Sequence, residues 1–190
     1  MADSRPTRAT IEGRAYLDLQ NLARRQRRPT DELHQLYALE GFLCRLAASE
    51  HAGRFALKGG VLLAAYDARR PTRDIDLHAR ALSSDEAAVL QVIRDVASQP
   101  FEDGLVVDTD AVRTEIIRDE SDYSGVRVSL GGRLSVARIA FHVDVNVGDP
   151  VQPPPQRIVL PRILGGELAI NGYPLPMVYA EKIVSPISEN

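Results

Sequence analysis

Apolar residues recur at helical spacing in two early stretches of the chain. From about Glu12 to Arg27, Tyr16, Leu17, Leu19 and Leu22 fall near one face, which predicts a helix that Pro29 ends. A second helix is expected from a cap at Thr30 or Asp31, with Leu33, Leu36, Leu39, Phe42, Leu43 and Leu46 as its apolar stripe. His51-Ala52-Gly53 closes it. The period then shortens. Arg54 to Leu57 predicts a strand leading into Lys58-Gly59-Gly60, Val61 to Tyr66 a helix, and Asp74 to His78 a second strand. Ser83 or Ser84 is expected to cap a further helix ending near Ser98 and Pro100. Beyond it, residues 105–107, 112–118, 126–130 and 138–147 predict strands, with Gly131-Gly132 as a hairpin signal between two of them. Pro150 and Pro153 to Pro155 mark an exposed loop, residues 157–160 a short strand, and Pro176 to Val184 a final helix.

A helical lead, then alternating strands and helices, then a run of strands argues for an α+β fold with helices packed on a mixed sheet. The expected division is an N-terminal helical segment over residues 1–52 and a second unit over 53–190. With no Trp and only 5% aromatic residues, the core must come from Leu, Val, Ile and Ala. A net charge of -3 excludes a general nucleic-acid coat. Local basic clusters remain, at Arg24, Arg25, Arg27 and Arg28 and at Arg69, Arg70 and Arg73, and a patch of that kind can bind phosphates. The single Cys44 forms no intramolecular disulfide and sits in an apolar run without a nearby base. No apolar signal region opens the sequence and no segment is long enough for a bilayer, so a cytoplasmic protein without membrane contact is expected.

Chemistry concentrates in Lys58-Gly59-Gly60 and in Arg70-Pro71-Thr72-Arg73-Asp74-Ile75-Asp76-Leu77. On a strand, residues two apart share a face, so Asp74 and Asp76 project together while Ile75 and Leu77 turn to the core. Two carboxylates this close repel and invite a divalent cation, and their hard oxygens suit Mg2+ shared with substrate phosphates. A strand that ends in glycines and opens a helix lets backbone N–H groups approach a phosphate, with Lys58 adding charge. Asp144, mid-strand among Val143, Val145 and Val147, is the candidate third carboxylate, because a charge placed there needs a purpose or a partner. That partner could be Arg127 or Arg138. His51, His78 and His142 show no zinc spacing, although His142 shares the face of Asp144. Taken singly, a D-x-D, a Gly-Gly and a strand Asp are ordinary structural features. Their order on these elements is what points to catalysis.

The run from Lys58-Gly59-Gly60 through Arg70-x-Thr72-x-Asp74-Ile75-Asp76-Leu77, with the closing Tyr179-Ala180-Glu181-Lys182-Ile183, resembles the AbiEii/AbiGii toxin family within the polymerase-β-like nucleotidyltransferases. The resemblance runs from about residue 50 to 184. It implies a polymerase-β-like nucleotidyltransferase fold and the toxin half of a type IV-like toxin–antitoxin pair. It further implies Mg2+-dependent transfer of a nucleotide from a nucleoside triphosphate to RNA, most naturally the tRNA 3′ end, which would block translation. Carried over by position, Asp74 and Asp76 match the metal ligands, Gly59 and Gly60 the phosphate-binding glycines, and Lys58 and Lys182 basic positions near the triphosphate. Asp144 matches the third acidic, metal-binding position, and Thr72 and Arg73 flank the metal strand, where Arg73 would contact the nucleotide. The family's pattern continues past the Glu-Lys-Ile helix into a helical region with an Arg-Asp-x-x-Asp-like motif. Here the sequence reads only to Asn190, so that region is expected to be largely absent. Two other readings stay open: transfer to a protein or small molecule, and a catalytically idle module that works through a partner.

Overall fold

The computed structural model describes residues 5–59, 72–118, 124–148 and 153–174. Helix α1 spans Ile11–Gln26, capped by the Thr10 hydroxyl, which accepts from the Gly13 amide, and closed by Arg27 in the left-handed region. Helix α2 spans Thr30–Ala48 and has Pro29 at its N-cap without a side-chain cap. The expected Thr30 or Asp31 cap is therefore corrected. Pro29 sets the extended entry, and Asp31 and Glu32 instead place negative charge in the first turn, where the helix dipole favours it. Helix α3, Glu86–Ala97, is capped by Asp85, whose carboxylate accepts from the Ala88 amide. Ser83 stands two residues back and its hydroxyl accepts from the Asp85 amide, so the cap expected at Ser83 or Ser84 falls instead on Asp85.

The strands are β1 (Phe55–Lys58), β2 (Asp74–Ala79), β3 (Leu105–Arg118), β4 (Ser124–Leu134), β5 (Ala137–Val147), β6 (Gln156–Pro161) and β7 (Glu167–Gly172). They form one mixed seven-stranded sheet in the order β3-β4-β5-β2-β1-β7-β6. The β2–β5 and β1–β7 pairs run parallel and the other neighbours antiparallel. Two expected strands, 105–107 and 112–118, are one strand whose register shifts between Asp108 and Arg113, the signature of a bulge. Gly131-Gly132 is not a hairpin turn. It lies inside β4, opposite Asp108 and Val107 on one side and Ala140 and Ile139 on the other. The turn falls instead at Ser135-Val136, beyond the last pair, Leu134 with Ala137, and Ser135 takes the positive φ of 53° that it requires. Strand β7 has no counterpart among the expected elements. Its hairpin with β6 turns through Gly165 and Gly166, at φ 100° and 89°.

Alternation in the central strands divides the sheet into two faces. Ile75 and Leu77 of β2 and Val143 and Val145 of β5 are fully buried on the side where α1, α2 and α3 pack, and the Phe42 ring of α2 meets Phe141 edge-on at 6.2 Å. Each such side chain removed from water contributes about 1.5–3 kcal/mol, which makes this face the main source of stability. A second anchor is ionic. Arg45 of α2 donates to both carboxylate oxygens of Asp103 at 2.6 and 3.0 Å and to the Gly41 and Leu105 carbonyls, and Tyr37 donates to the Asp103 carbonyl. Asp103 in turn accepts from the Leu105 amide, so the pair ties α2 to the start of β3 with its polar atoms satisfied. No helix among the described residues is long and apolar enough to cross a membrane. The expected helices at 61–66 and 176–184 lie outside the described residues.

Candidate functional site

The opposite face of the same strands is polar because the alternation that sends Ile75 inward sends Asp74 and Asp76 outward. Strand register continues the pattern sideways. Asp76 stands opposite Lys58 of β1 and Asp144 of β5, Asp144 opposite Arg127 of β4, and Arg127 opposite Glu115 of β3. One transverse row thus carries Lys58, Asp76, Asp144, Arg127 and Glu115. The next row carries Asp74, His142 and Ser129, with the Ser129 hydroxyl 3.0 Å from His142 Nδ1.

Gly59 follows β1 directly and has φ +72°, a conformation that favours glycine. A Cβ built on it would lie 1.9 Å from the Asp76 Oδ2 and 2.6 Å from its carboxyl carbon. The glycine backbone therefore packs directly on the Asp76 carboxylate. The close approach at Gly59 is thus made by a carboxylate of the neighbouring strand. Gly60 and Lys182 lie outside the described residues. Thr72 donates its hydroxyl to the Asp74 carbonyl, 3.2 Å away, and the Arg73 carbonyl accepts from the His142 amide at 3.1 Å. Both residues thus splint the start of β2 to its neighbourhood, and the Arg73 side chain is exposed.

Asp144 is neutralised within the protein. Arg127 Nε and Nη2 donate to its two carboxylate oxygens at 2.8 and 2.7 Å, the fork-on-fork geometry of a strong charge-assisted pair. The Asp144 side chain is 10% exposed and that of Arg127 30%. Arg127 also stands 4.0 Å from Asp74 Oδ2 and 4.0 Å from Glu115. Hydrogen bonding to Asp144 raises the guanidinium pKa well above its ordinary value. The Asp74 side chain is 40% exposed. Of the two sequence alternatives for Asp144, a structural arginine partner is present, and it is Arg127. Arg138 lies opposite Arg133, away from the acidic row.

Asp74 and Asp76 fit a hard divalent cation by donor type, shared face and the glycine contact at Asp76. Among the described residues, no three His, Cys, Asp or Glu side chains are grouped to hold a metal ion, and both Asp144 oxygens accept from Arg127. Two other groups behave as the sequence suggests. Cys44 is buried, and burial pushes its thiol pKa up to about 11, so it is no nucleophile at neutral pH. His78 is buried on β2, where burial and the nearby Lys58 and Arg80 lower its pKa.

Residues 41–188 match the model of a family described as nucleotidyl transferase AbiEii toxin, type IV toxin–antitoxin system. No curated protein matches the chain. Among solved structures, JHP933 from Helicobacter pylori shares 12% identity and a TM-score of 0.50, covering 83% of this chain and 58% of its own. A second protein from H. pylori, whose description proposes a nucleotidyltransferase, shares 13% identity and a TM-score of 0.47, covering 82% and 59% respectively. The chain therefore spans less than two thirds of either structure, and at these identities the first likeness bears on the fold alone.

Proposed function

The chain belongs to the AbiEii nucleotidyl transferase toxin family, and from that premise we propose that it transfers a nucleotide from a nucleoside triphosphate to RNA, with the tRNA 3′ end as preferred acceptor. The observation that carries this reading is the packing of Gly59 on the carboxylate of Asp76, with Asp74 on the same strand face. A triphosphate is polyanionic, so a pair of carboxylates at its binding site makes chemical sense only with a cation between them. Asp74 and Asp76 would hold Mg2+, which when bound neutralises developing charge on the phosphates.

The remaining steps belong to the chain's own residues. Gly59 leaves room for the Asp76 carboxylate to sit against the end of β1, and Lys58, opposite Asp76, supplies positive charge for the phosphates at the same edge. The acceptor hydroxyl oxygen bonds to the α-phosphorus while the bond from that phosphorus to the bridging oxygen of the β-phosphate breaks. Pyrophosphate leaves, and the hydroxyl proton passes to a carboxylate of the acidic set. Asp144 is a poor base while both of its oxygens accept from Arg127, so Asp74 is the better candidate. The exposed Arg24, Arg25 and Arg27 at the end of α1 offer an RNA backbone a basic surface. A type IV toxin–antitoxin family supports an antitoxin protein as partner, and in our reading the two act in the cytoplasm.

The test is incubation with labelled nucleoside triphosphates, Mg2+ and total RNA, beside an Asp76→Ala control. Label in the tRNA band, lost in the control, supports the proposal. Label in protein or in a small molecule moves the acceptor, and no label alongside retained antitoxin binding supports an idle module.

A further inference from the structure

Besides Lys58 opposite Asp76, the acids of the open face have a second cation among them, Arg127. Its Nη2 lies 2.7 Å from Asp144 Oδ2 and 4.0 Å from Asp74 Oδ2, so one nitrogen stands between two of the carboxylates expected to receive metal. Its Nε takes the other Asp144 oxygen at 2.8 Å. A divalent ion bound to Asp144 would sit about 2.1 Å from the same oxygens. Each oxygen keeps a second lone pair, but a divalent ion and the guanidinium on the same carboxylate would lie within a few ångströms of each other, and their mutual repulsion opposes that approach. Removing the arginine without replacement would leave a nearly buried charge unpaired, so the folded state favours a cation at this position.

We infer that Arg127 is the resident counter-cation of the acidic site and that a divalent ion gains Asp144 only by displacing it. This rests on the reading of Asp74 and Asp76 as a metal-binding pair. The exit is built into the same row. Arg127 Nη1 is 4.0 Å from Glu115, whose side chain is 62% exposed, so the released guanidinium keeps an acidic partner on its outer side. Arg127 thereby sets how tightly the site takes its metal, and it acts through Asp144 as a positioning residue.

The experiment is Mn2+ binding to the full chain, read by electron paramagnetic resonance. Arg127→Met removes the competing charge and is expected to bind Mn2+ on the order of tenfold tighter, the scale of coupling between contacting charged residues. Adding Asp144→Asn should erase that gain, whereas Arg127→Lys, which keeps a cation, should stay near the wild-type affinity. Unchanged or weaker Mn2+ binding by Arg127→Met overturns the inference, as does a gain that survives Asp144→Asn. If Arg127→Met fails to fold, the wild-type protein still decides. Mg2+ should speed hydrogen exchange at the Arg127 Nε–H as its bond to Asp144 opens, and Mg2+ binding with unchanged exchange overturns the inference. Mn2+ shifts of the expected kind without nucleotide transfer would sink the proposed function and leave this inference standing. Transfer without those shifts would do the reverse.

Discussion

Two arginine–aspartate pairs stand on opposite sides of the same sheet. Arg45 and Asp103 are 4% and 1% exposed, and beyond the bonds between them both Arg45 terminal nitrogens donate to carbonyls while the Asp103 carboxylate accepts from a backbone amide. Gly41 makes room for it, since a Cβ there would lie 2.9 Å from the Asp103 Oδ2. Arg127 and Asp144 show the same two-pronged geometry, but they stand on the open face with two further acids 4.0 Å from the arginine. The first pair has one arrangement available to it. The second has surplus negative charge around it and partial access to water, so its arginine can trade partners. Identical chemistry thus serves as a latch where saturated and buried, and as an exchangeable counter-charge where it is not.

The sharpest test of the latch is Arg45→Ala, which strands a buried carboxylate. Loss of about 3–5 kcal/mol is expected, seen as a lower urea midpoint or loss of cooperative unfolding. Replacing both members with apolar residues, Arg45→Met with Asp103→Leu, should recover much of it, and failure to do so would mean that the backbone bonds matter more than the charges. On the open face, Asp76→Asn should leave the unfolding transition nearly in place while lowering labelled-nucleotide transfer by roughly 100-fold or more. A comparable loss of stability would erase the distinction between the two faces. Gly59→Ala is expected to cost about 1–3 kcal/mol from its positive φ and to displace the Asp76 carboxylate, so transfer should fall further than the stability loss explains. Arg127→Met should lower stability by about 1–3 kcal/mol, because it leaves the buried Asp144 carboxylate without its donor, and by less than Arg45→Ala, because Arg127 itself is partly wet.

The smallest effect concerns pH. His34 on α2 is buried against Tyr16, their ring centroids 4.9 Å apart, and burial lowers its pKa below 6.5 while Asp31 partly opposes the shift. The folded state therefore binds this proton less readily than the unfolded chain. The contribution of His34 is present above pH 6.5 and declines as pH falls toward the folded pKa. A modest drop in the urea midpoint between neutral and mildly acidic pH, abolished by His34→Gln, would place this acid weakness on the helix-covered side.

Local pattern carried the three helices among the described residues, the six strands it found and the placement of Asp74 and Asp76 on one face, because a period of two or 3.6 is written into neighbouring residues. It failed where meaning depended on distant chain. Two glycine pairs illustrate this. Gly165-Gly166 makes a hairpin turn, whereas Gly131-Gly132 runs straight through the middle of β4, held there by partners on both sides. Strand β7 was legible in principle, from Leu168 and Ile170 alternating after that glycine turn.

The amino-acid order alone determined an α+β chain with two acids on one strand face, a glycine turn shortly before them and a third acid further on. Which groups meet was decided by strand pairing: that Gly59 packs on Asp76, that Asp144 stands beside it, and that Arg127, not Arg138, takes its charge. The reason is that side-chain direction follows from adjacent residues, whereas register joins segments far apart in the chain. Their closure depends on burying the whole helix-covered core at once, and no short stretch records that choice.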